Sequence, residues 1–429
     1  MSAAPLPSSF RAAFGSRLSP RPFFAAQQTM DALATDLSEV YDLIVSLPDR
    51  LFDGDLDLYC SAVGLDDRRA ALIRRLRSAK PVRSGRADLY YDGSSFKLLE
   101  FNIGSQFGAA DVVEVLRALM AVKPFVEFAE EFGLSYVDVM AEITTMLRRA
   151  AATVAGEREP VVAAIEADGG LAVNKELFRS LQDSMARCGI RLLLGELGQL
   201  TQKGDRLLLD GTPLDLILRY FGVGQIIDDP TGRATYELIC RIHEQGGLVL
   251  HTPLESHLFS HKAALALLSD PEHRNAFSET EQRLIDRLLP WTRILRDVWT
   301  EFNGERVDLM EFYQEHQNSL ILKPGAGYSG IGVVAGWETD GQEWAALLRR
   351  SIGGPFIVQR RVIPTPEDIV YPGAGDLEQV LAVWGVFISE DGYAGGAIRT
   401  APSSGGAVIN IGSNPNTSIT GLFTYPEPV

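Results

Sequence analysis

The chain has little from which to build a disulfide framework, a zinc site or a nucleic-acid footprint. Its three cysteines, Cys60, Cys188 and Cys240, are odd in number and show no CxxC spacing. They read as small apolar residues in a reducing compartment, and a cytoplasmic protein is expected. Six histidines form no HExxH; His251, His257 and His261 share one stretch, but no cysteine lies near to complete a zinc site. Of 40 basic residues only seven are lysines, no basic block occurs, and the net charge is −16. Phosphate backbones are bound by clustered Lys and Arg, so no nucleic-acid partner is expected. No apolar run approaches the roughly 18 residues of a membrane span, so no membrane partner is expected either. There is no GxxxxGK[ST], which excludes a Walker-type loop.

What remains is ordinary globular material: 429 residues, 46% hydrophobic and 22% charged, enough for two or three domains. Residues 1–22, rich in Ser, Pro and Ala, read as a flexible arm. Residues 23–157 read as mainly helical, with helical spacing over 27–47, 65–76, 110–122 and 136–154. A hairpin interrupts them, from Arg86 to Tyr91 and Phe96 to Asn102, joined by Asp92-Gly93-Ser94-Ser95. Residues 158–255 alternate strand and helix, which implies a small open α/β sheet. In 256–429, helices are expected over 257–268 and 279–289. Strands are expected over 319–323, 333–337, 356–362, 380–388 and 393–399.

Four motifs carry chemistry. In Leu322-Lys323-Pro324-Gly325-Ala326-Gly327-Tyr328-Ser329-Gly330-Ile331-Gly332, the glycines run into a β-branched strand instead of a helix. A dinucleotide fingerprint therefore does not fit, and a strand–turn–strand flap does. Its small residues, with Ser329, let backbone N–H groups approach phosphate, and Lys323 supplies charge at its base. Gln359 ends a strand able to face an adenine edge. Arg399 ends a glycine-flanked strand, placed to hold a transferring phosphoryl group. Last, Arg86 and Asp88 share one face of a strand, as do Glu100 and Asn102 on its partner. Two carboxylates and an amide oxygen are hard ligands suited to Mg²⁺.

Together these motifs resemble the ATP-grasp superfamily, and their order resembles glutathionylspermidine synthase and its relatives. In that permuted branch an Arg-x-Asp strand and a Glu-x-Asn strand precede the nucleotide-binding lysines. The resemblance implies an α+β, permuted ATP-grasp fold with an adjoining α/β pre-ATP-grasp domain at 158–255. It implies metal ligands Asp88, Glu100 and Asn102, and catalytic Arg86 and Arg399. Lys262, in Ser260-His261-Lys262-Ala263, and Lys323 match the nucleotide-binding lysines, with Gly325, Gly327, Ser329, Gly330 and Gln359 around ATP. The implied activity is an ATP- and Mg²⁺-dependent carboxylate–amine ligase working through an acyl phosphate. A phosphotransferase, or a silent nucleotide-binding protein on the same scaffold, are the alternatives. The loop Ile103-Gly104-Ser105-Gln106-Phe107-Gly108 departs from the Asp-Thr-Pro of glutathionylspermidine synthases, and the separate amidase domain of some bifunctional members is not expected within these 429 residues. Polyamine specificity is therefore not carried over. Ser105, Gln106, Arg219 and Tyr220, with Gln225, are candidates for the acceptor side, and the substrates are expected to be a small carboxylate and a small amine.

Overall fold

The computed structural model describes residues 5–427 apart from 16, 79–80, 107, 303–304, 328–329 and 372–376. Its centre is a mixed sheet that draws strands from both ends of the chain. Their order is Phe23–Ala26, Ser418–Tyr425, Gly392–Pro402, Leu377–Ser389, Gly85–Tyr91 and Phe96–Ile103, with Glu367–Val370 on the far half of the long strand. Among these strands the pair Phe23–Ala26 and Ser418–Tyr425 is parallel and the others are antiparallel.

The hairpin is closed as its turn residues require. Asp92 accepts from the backbone N–H of Ser94 and Ser95, each at 2.9 Å, and Gly93 takes φ 95°. Arg86 then stands opposite Asn102 and Asp88 opposite Glu100. The long strand Leu377–Ser389 lies on the hairpin's other side, with Gly385 against Asp88 and Phe387 against Arg86. A Cβ on Gly385 would come within 2.9 Å of Arg86 Cδ, so this glycine makes room for the arginine stem.

Each face of the central sheet is covered by helices. Gln27–Phe52 buries Met30, Leu33, Leu37, Val40, Ile44 and Leu47 at helical spacing, against Ala87, Leu89, Leu98 and Val386. The opposite face, with Phe387 and Ala397, is covered by Val113–Leu119 and Val139–Ala155. A second, wholly parallel sheet runs Val249–His251, Leu216–Arg219, Val162–Glu166, Leu192–Glu196. Its strands are almost wholly apolar, as burial on both faces demands. A third, antiparallel sheet runs Thr292–Ile294, Phe356–Arg360, Leu320–Pro324, Val334–Ala335. Behind it Trp344 is fully buried and donates to the Tyr313 carbonyl at 2.8 Å.

Several sequence expectations need correction. The helix expected over 257–268 is two, Ser256–Phe259 and Lys262–Ser269. His261 is extended, and its Nδ1 accepts from Ala263 N at 3.3 Å to cap the second helix. The strand expected over 333–337 shortens to Val334–Ala335, because Gly336 turns against the Gln317 carbonyl, where a Cβ would be only 2.0 Å away. The helix over 110–122 is a 3₁₀ turn, Ala110–Val112, followed by Val113–Leu119. The expected flexible arm contains a helix, Ser8–Phe14, that buries Phe10 and Phe14. The hairpin assigned to 23–157 shares its sheet with strands from 377–425, so the site is built across those sequence segments. Among the described residues no helix is long and apolar enough to cross a membrane.

Candidate active site

Strand register places Arg86, Asp88, Glu100 and Asn102 on one face of the hairpin, and the neighbouring strands bring Arg399 to the same spot. Asp88 is the hub. Arg86 donates to it twice, Nε to Oδ1 at 2.8 Å and Nη2 to Oδ2 at 3.1 Å. Arg399 Nη2 lies 2.6 Å from Oδ1 as an ion pair. Asn102 Nδ2 donates to Oδ2 at 3.1 Å and lies 3.4 Å from Glu100 Oε1. Arg86 also donates to the Gly108 carbonyl. The Asp88 side chain is only 4% exposed and that of Arg399 6%. Burial pushes the Asp88 carboxyl up, but Arg399 and then Arg86 outweigh it and hold it well below the usual carboxylate range. Burial likewise works against the Arg86 charge, and Asp88 more than compensates.

Two lysines approach from the third sheet and the capped helix. Lys262 begins the helix Lys262–Ser269, and its Nζ is 3.1 Å from Glu100 Oε2. Lys323, on the strand Leu320–Pro324, donates to Gln359 Oε1 at 2.6 Å and reaches the Leu99 carbonyl at 3.4 Å. Gln359 in turn donates to Thr292 Oγ1 at 3.1 Å. Among the described residues Lys323 has no carboxylate within salt-bridge distance; burial pushes its pKa down to about 8, Glu100 opposing only in part. Four cations thus stand around two carboxylates, an excess that favours an anionic ligand. The set can order a polyphosphate and stabilise charge on a phosphoryl group moving between oxygens.

Leu320–Pro324 and Val334–Ala335 pair as antiparallel strands on either side of the glycine run. Ser329 lies outside the described residues. Gly327 and Gly330 have φ of 145° and 71°, values that side-chain-bearing residues rarely adopt. Gly325 answers a different need: a Cβ there would sit 2.2 Å from His261 Cε1. Gly330 packs on Val408, so the flap meets the loop 403–417, where Asn414 Nδ2 donates to the carbonyls of Gly405 and Val408 at 2.8 Å each.

Of the acceptor-side candidates, Ser105 and Arg219 are used inside the protein. Ser105 Oγ donates to the Arg219 carbonyl and accepts from Thr252 Oγ1, both at 2.7 Å. Arg219 donates to the Thr252 carbonyl at 2.9 Å, the Phe221 carbonyl at 2.5 Å and Ser256 Oγ at 3.0 Å. Together they tie the hairpin's exit loop to the parallel sheet. Gln106 donates to the Tyr220 carbonyl at 2.5 Å and also lines a cleft beside Arg86; the Tyr220 ring packs on Phe178. Gln225 sits apart, donating to Glu166 at 3.0 Å. Sequence reasoning missed Thr292 and His261, which orient Gln359 and Lys262 respectively. No motif marks either; His261 was hidden inside an apolar helical pattern.

The donor set also bears on a metal. Among the described residues no three His, Cys, Asp or Glu side chains converge as a metal cluster. Asp88 is already held by Arg86, Arg399 and Asn102, whereas Glu100 is 29% exposed. Such a set fits Mg²⁺, which takes one or two carboxylates and completes its shell with water and phosphate oxygens.

No family model and no curated protein matches the sequence. Among solved structures, the fold is similar to that of a glutathione synthetase-like effector from Globodera pallida. The TM-score is 0.59 at 12% identity, over 95% of this chain and 90% of that one. A provisionally named gamma-glutamylcysteine synthetase of Methylobacillus flagellatus aligns with TM-score 0.47 at 14% identity, over 94% and 89%. At such identity the first likeness speaks to the mixed α/β fold alone, and the second is too distant to add to it.

Proposed function

We propose that the protein is an ATP-dependent carboxylate–amine ligase of the permuted ATP-grasp kind, with Arg86, Asp88, Glu100, Asn102, Lys262, Lys323 and Arg399 as its centre. The observation that carries the reading is the meeting of Asp88 with Arg399, 311 positions later, in a site that Lys262 and Lys323 complete. Chain segments this distant converge on one buried charge cluster, and its cation excess suits a nucleotide triphosphate.

In this reading a carboxylate oxygen of the substrate attacks the γ-phosphorus of ATP. The bond from that phosphorus to the β,γ-bridging oxygen breaks, and ADP leaves. The amine lone pair then attacks the carbonyl carbon, the carbon–oxygen bond to phosphate breaks, and the amine gives up a proton. Lys262 and Lys323 hold the phosphates. Arg86 and Arg399, aligned by Asp88, face the charge spread over the moving phosphoryl group. The glycine flap excludes the water that would hydrolyse an acyl phosphate. Mg²⁺, when bound through Glu100 and Asn102 with Asp88 beside them, supplies charge neutralisation on the β- and γ-phosphates.

The test replaces Glu100 and traps the intermediate. With carboxylates supplied in turn, wild-type protein is expected to release ADP in a Mg²⁺-dependent way and to form a hydroxamate with hydroxylamine. Glu100→Ala is expected to lose both, by at least a hundredfold, with an unchanged far-UV circular dichroism spectrum. Undiminished ADP release in that variant would sink the site assignment. ADP release from hydroxyl substrates with no hydroxamate would favour a phosphotransferase on the same scaffold.

A further inference from the structure

Behind Lys323 runs a chain of neutral groups to which the mechanism above gives no part. Strand register sets it up. Thr292 stands directly opposite Gln359 across one strand pair. Lys323, opposite Ile357 across the next, is the diagonal neighbour of Gln359 on the same face. All three side chains are buried, Thr292 completely. Lys323 Nζ donates to Gln359 Oε1 at 2.6 Å, Gln359 Nε2 donates to Thr292 Oγ1 at 3.1 Å, and Thr292 Oγ1 donates to the Pro290 carbonyl at 2.8 Å. Every donor in the chain points away from the lysine.

That polarity is set at the far end. A threonine hydroxyl has one proton; the Pro290 carbonyl takes it, so Oγ1 can only accept from Gln359. The amide must then turn its NH₂ to Thr292 and its oxygen to Lys323. The reverse orientation would set amide N–H against ammonium N–H, two buried donors with no acceptor between them. Thr292 is itself pinned: its backbone N–H donates to Ser269 Oγ at 3.1 Å, and Ser269 Oγ donates to the Thr292 carbonyl at 3.3 Å. Ser269 ends the helix that Lys262 begins, so one helix places one lysine and fixes the residue behind the other. The aligned dipoles present their negative ends to the Lys323 ammonium. A carboxylate in place of Gln359 would cancel that charge, whereas an amide holds the ammonium and leaves its charge to a ligand.

We propose that Thr292 is a positioning residue: by giving its proton to Pro290 it fixes the Gln359 amide with its oxygen on Lys323, and so holds that ammonium charged. Its consequence for nucleotide binding rests on the ligase reading; the orientation itself needs no ligand.

Nuclear magnetic resonance of the full chain with ¹³C-labelled lysine tests it. The chain has seven lysines, and the Lys323 signal is the one absent from Lys323→Arg. In wild type its titration midpoint is expected at about 8. Thr292→Val has nearly the same shape without the hydroxyl; it frees the amide to turn and should lower the midpoint by about one unit. Thr292→Ser keeps the hydroxyl and should keep the wild-type midpoint. Glu100 and Asp88 of the hairpin and Lys262 of the helix, the charged groups that act on Lys323, are unaltered in both. Gln359→Met removes the amide, so it should lower the midpoint by itself, and Thr292→Val added to it should lower it no further. That comparison strands no amide and serves even if Thr292→Val alone does not fold. An unmoved midpoint in Thr292→Val, an equally low one in Thr292→Ser, or a further fall in the double variant would each overturn the proposal. ATP titration at pH 8 separates it from the ligase reading. A midpoint lower by about one unit cuts the charged fraction from about half to about a tenth, so Thr292→Val should bind ATP about fivefold more weakly. A lowered midpoint with unchanged ATP affinity would uphold the hold of Thr292 on Lys323 and take Lys323 out of the phosphate site.

Discussion

Lys323 shows what burial does to one residue when its partner is an amide instead of a carboxylate. Its pKa, pushed down to about 8 by desolvation, makes it half neutral near that pH, whereas the free side chain holds its proton to about 10.5. In the proposed role ATP needs the charged form. The KM for ATP should therefore rise as pH increases above about 8, by up to about tenfold per unit, and Lys323→Arg should flatten the rise because guanidinium keeps its proton. Stability has the opposite sign. The folded value lies below the unfolded one, so between about pH 8 and 10.5 the unfolded chain binds more protons, and stability from this group increases with pH. Steady-state kinetics and chemical denaturation across pH 7.5–10 check both; a flat KM in wild type would remove Lys323 from the phosphate site. Lys323 was legible because lysine is scarce here and this one precedes a glycine run. That Asp88 serves two guanidiniums was not legible, since one of them lies more than 300 residues away and no local period announces it.

At the scale of elements, the flap and the capped helix are knotted together. Lys262 N–H donates to the Gly325 carbonyl at 2.7 Å, Gly325 N–H donates to the Pro355 carbonyl at 2.6 Å, and His261 fills the space a Gly325 side chain would need. The sequence suggested glycine here for approach to phosphate; the structure gives packing as its reason. The two explanations part under mutation. Gly325→Ala forces the His261 ring aside and with it the helix start that carries Lys262. Overpacking of this kind costs about 1–3 kcal/mol, and the KM for ATP should rise at least tenfold. If packing is the cause, adding His261→Ala reopens the space and should recover most of the ATP affinity, even though losing the cap costs about 1 kcal/mol. Failure of that rescue, measured by nucleotide titration of the double variant, would return Gly325 to the phosphate. The elements themselves were largely legible from apolar periodicity and turn residues. One exception is a side chain that interrupts a continuous apolar pattern, as His261 does; another is Gly336, whose close approach to the Gln317 carbonyl ends a strand early.

At the scale of the molecule, the central sheet explains why the site's order along the chain is so scattered. Sheet neighbours are chosen by register and burial, so a hairpin at residues 85–103 docks on strands from 377–402, while the polypeptide between them builds the parallel sheet, the antiparallel sheet and two smaller ones. Segment boundaries drawn from composition did not reveal this, because strand pairing between distant segments leaves no mark in either. The same blindness affects the opening residues. Ser, Pro and Ala suggested a loose arm, yet Phe10 and Phe14 are buried with ring centroids 4.6 Å apart. Their core also contains Phe178 and Leu181 of the helix Lys175–Arg187. Beyond them Leu18 bridges Ile419, and Ser19 N–H donates to the Ile419 carbonyl at 3.1 Å. This segment thus links the helix over the parallel sheet to the last strand of the central one. Truncating a buried phenylalanine to alanine costs about 3–5 kcal/mol, so Phe10→Ala should lower the melting temperature by several degrees. A loose arm would leave it unmoved. Differential scanning calorimetry of Phe10→Ala beside Ser9→Ala separates the two: a drop in both, or in neither, would mean that burial of the Phe10 ring does not hold this segment to the body.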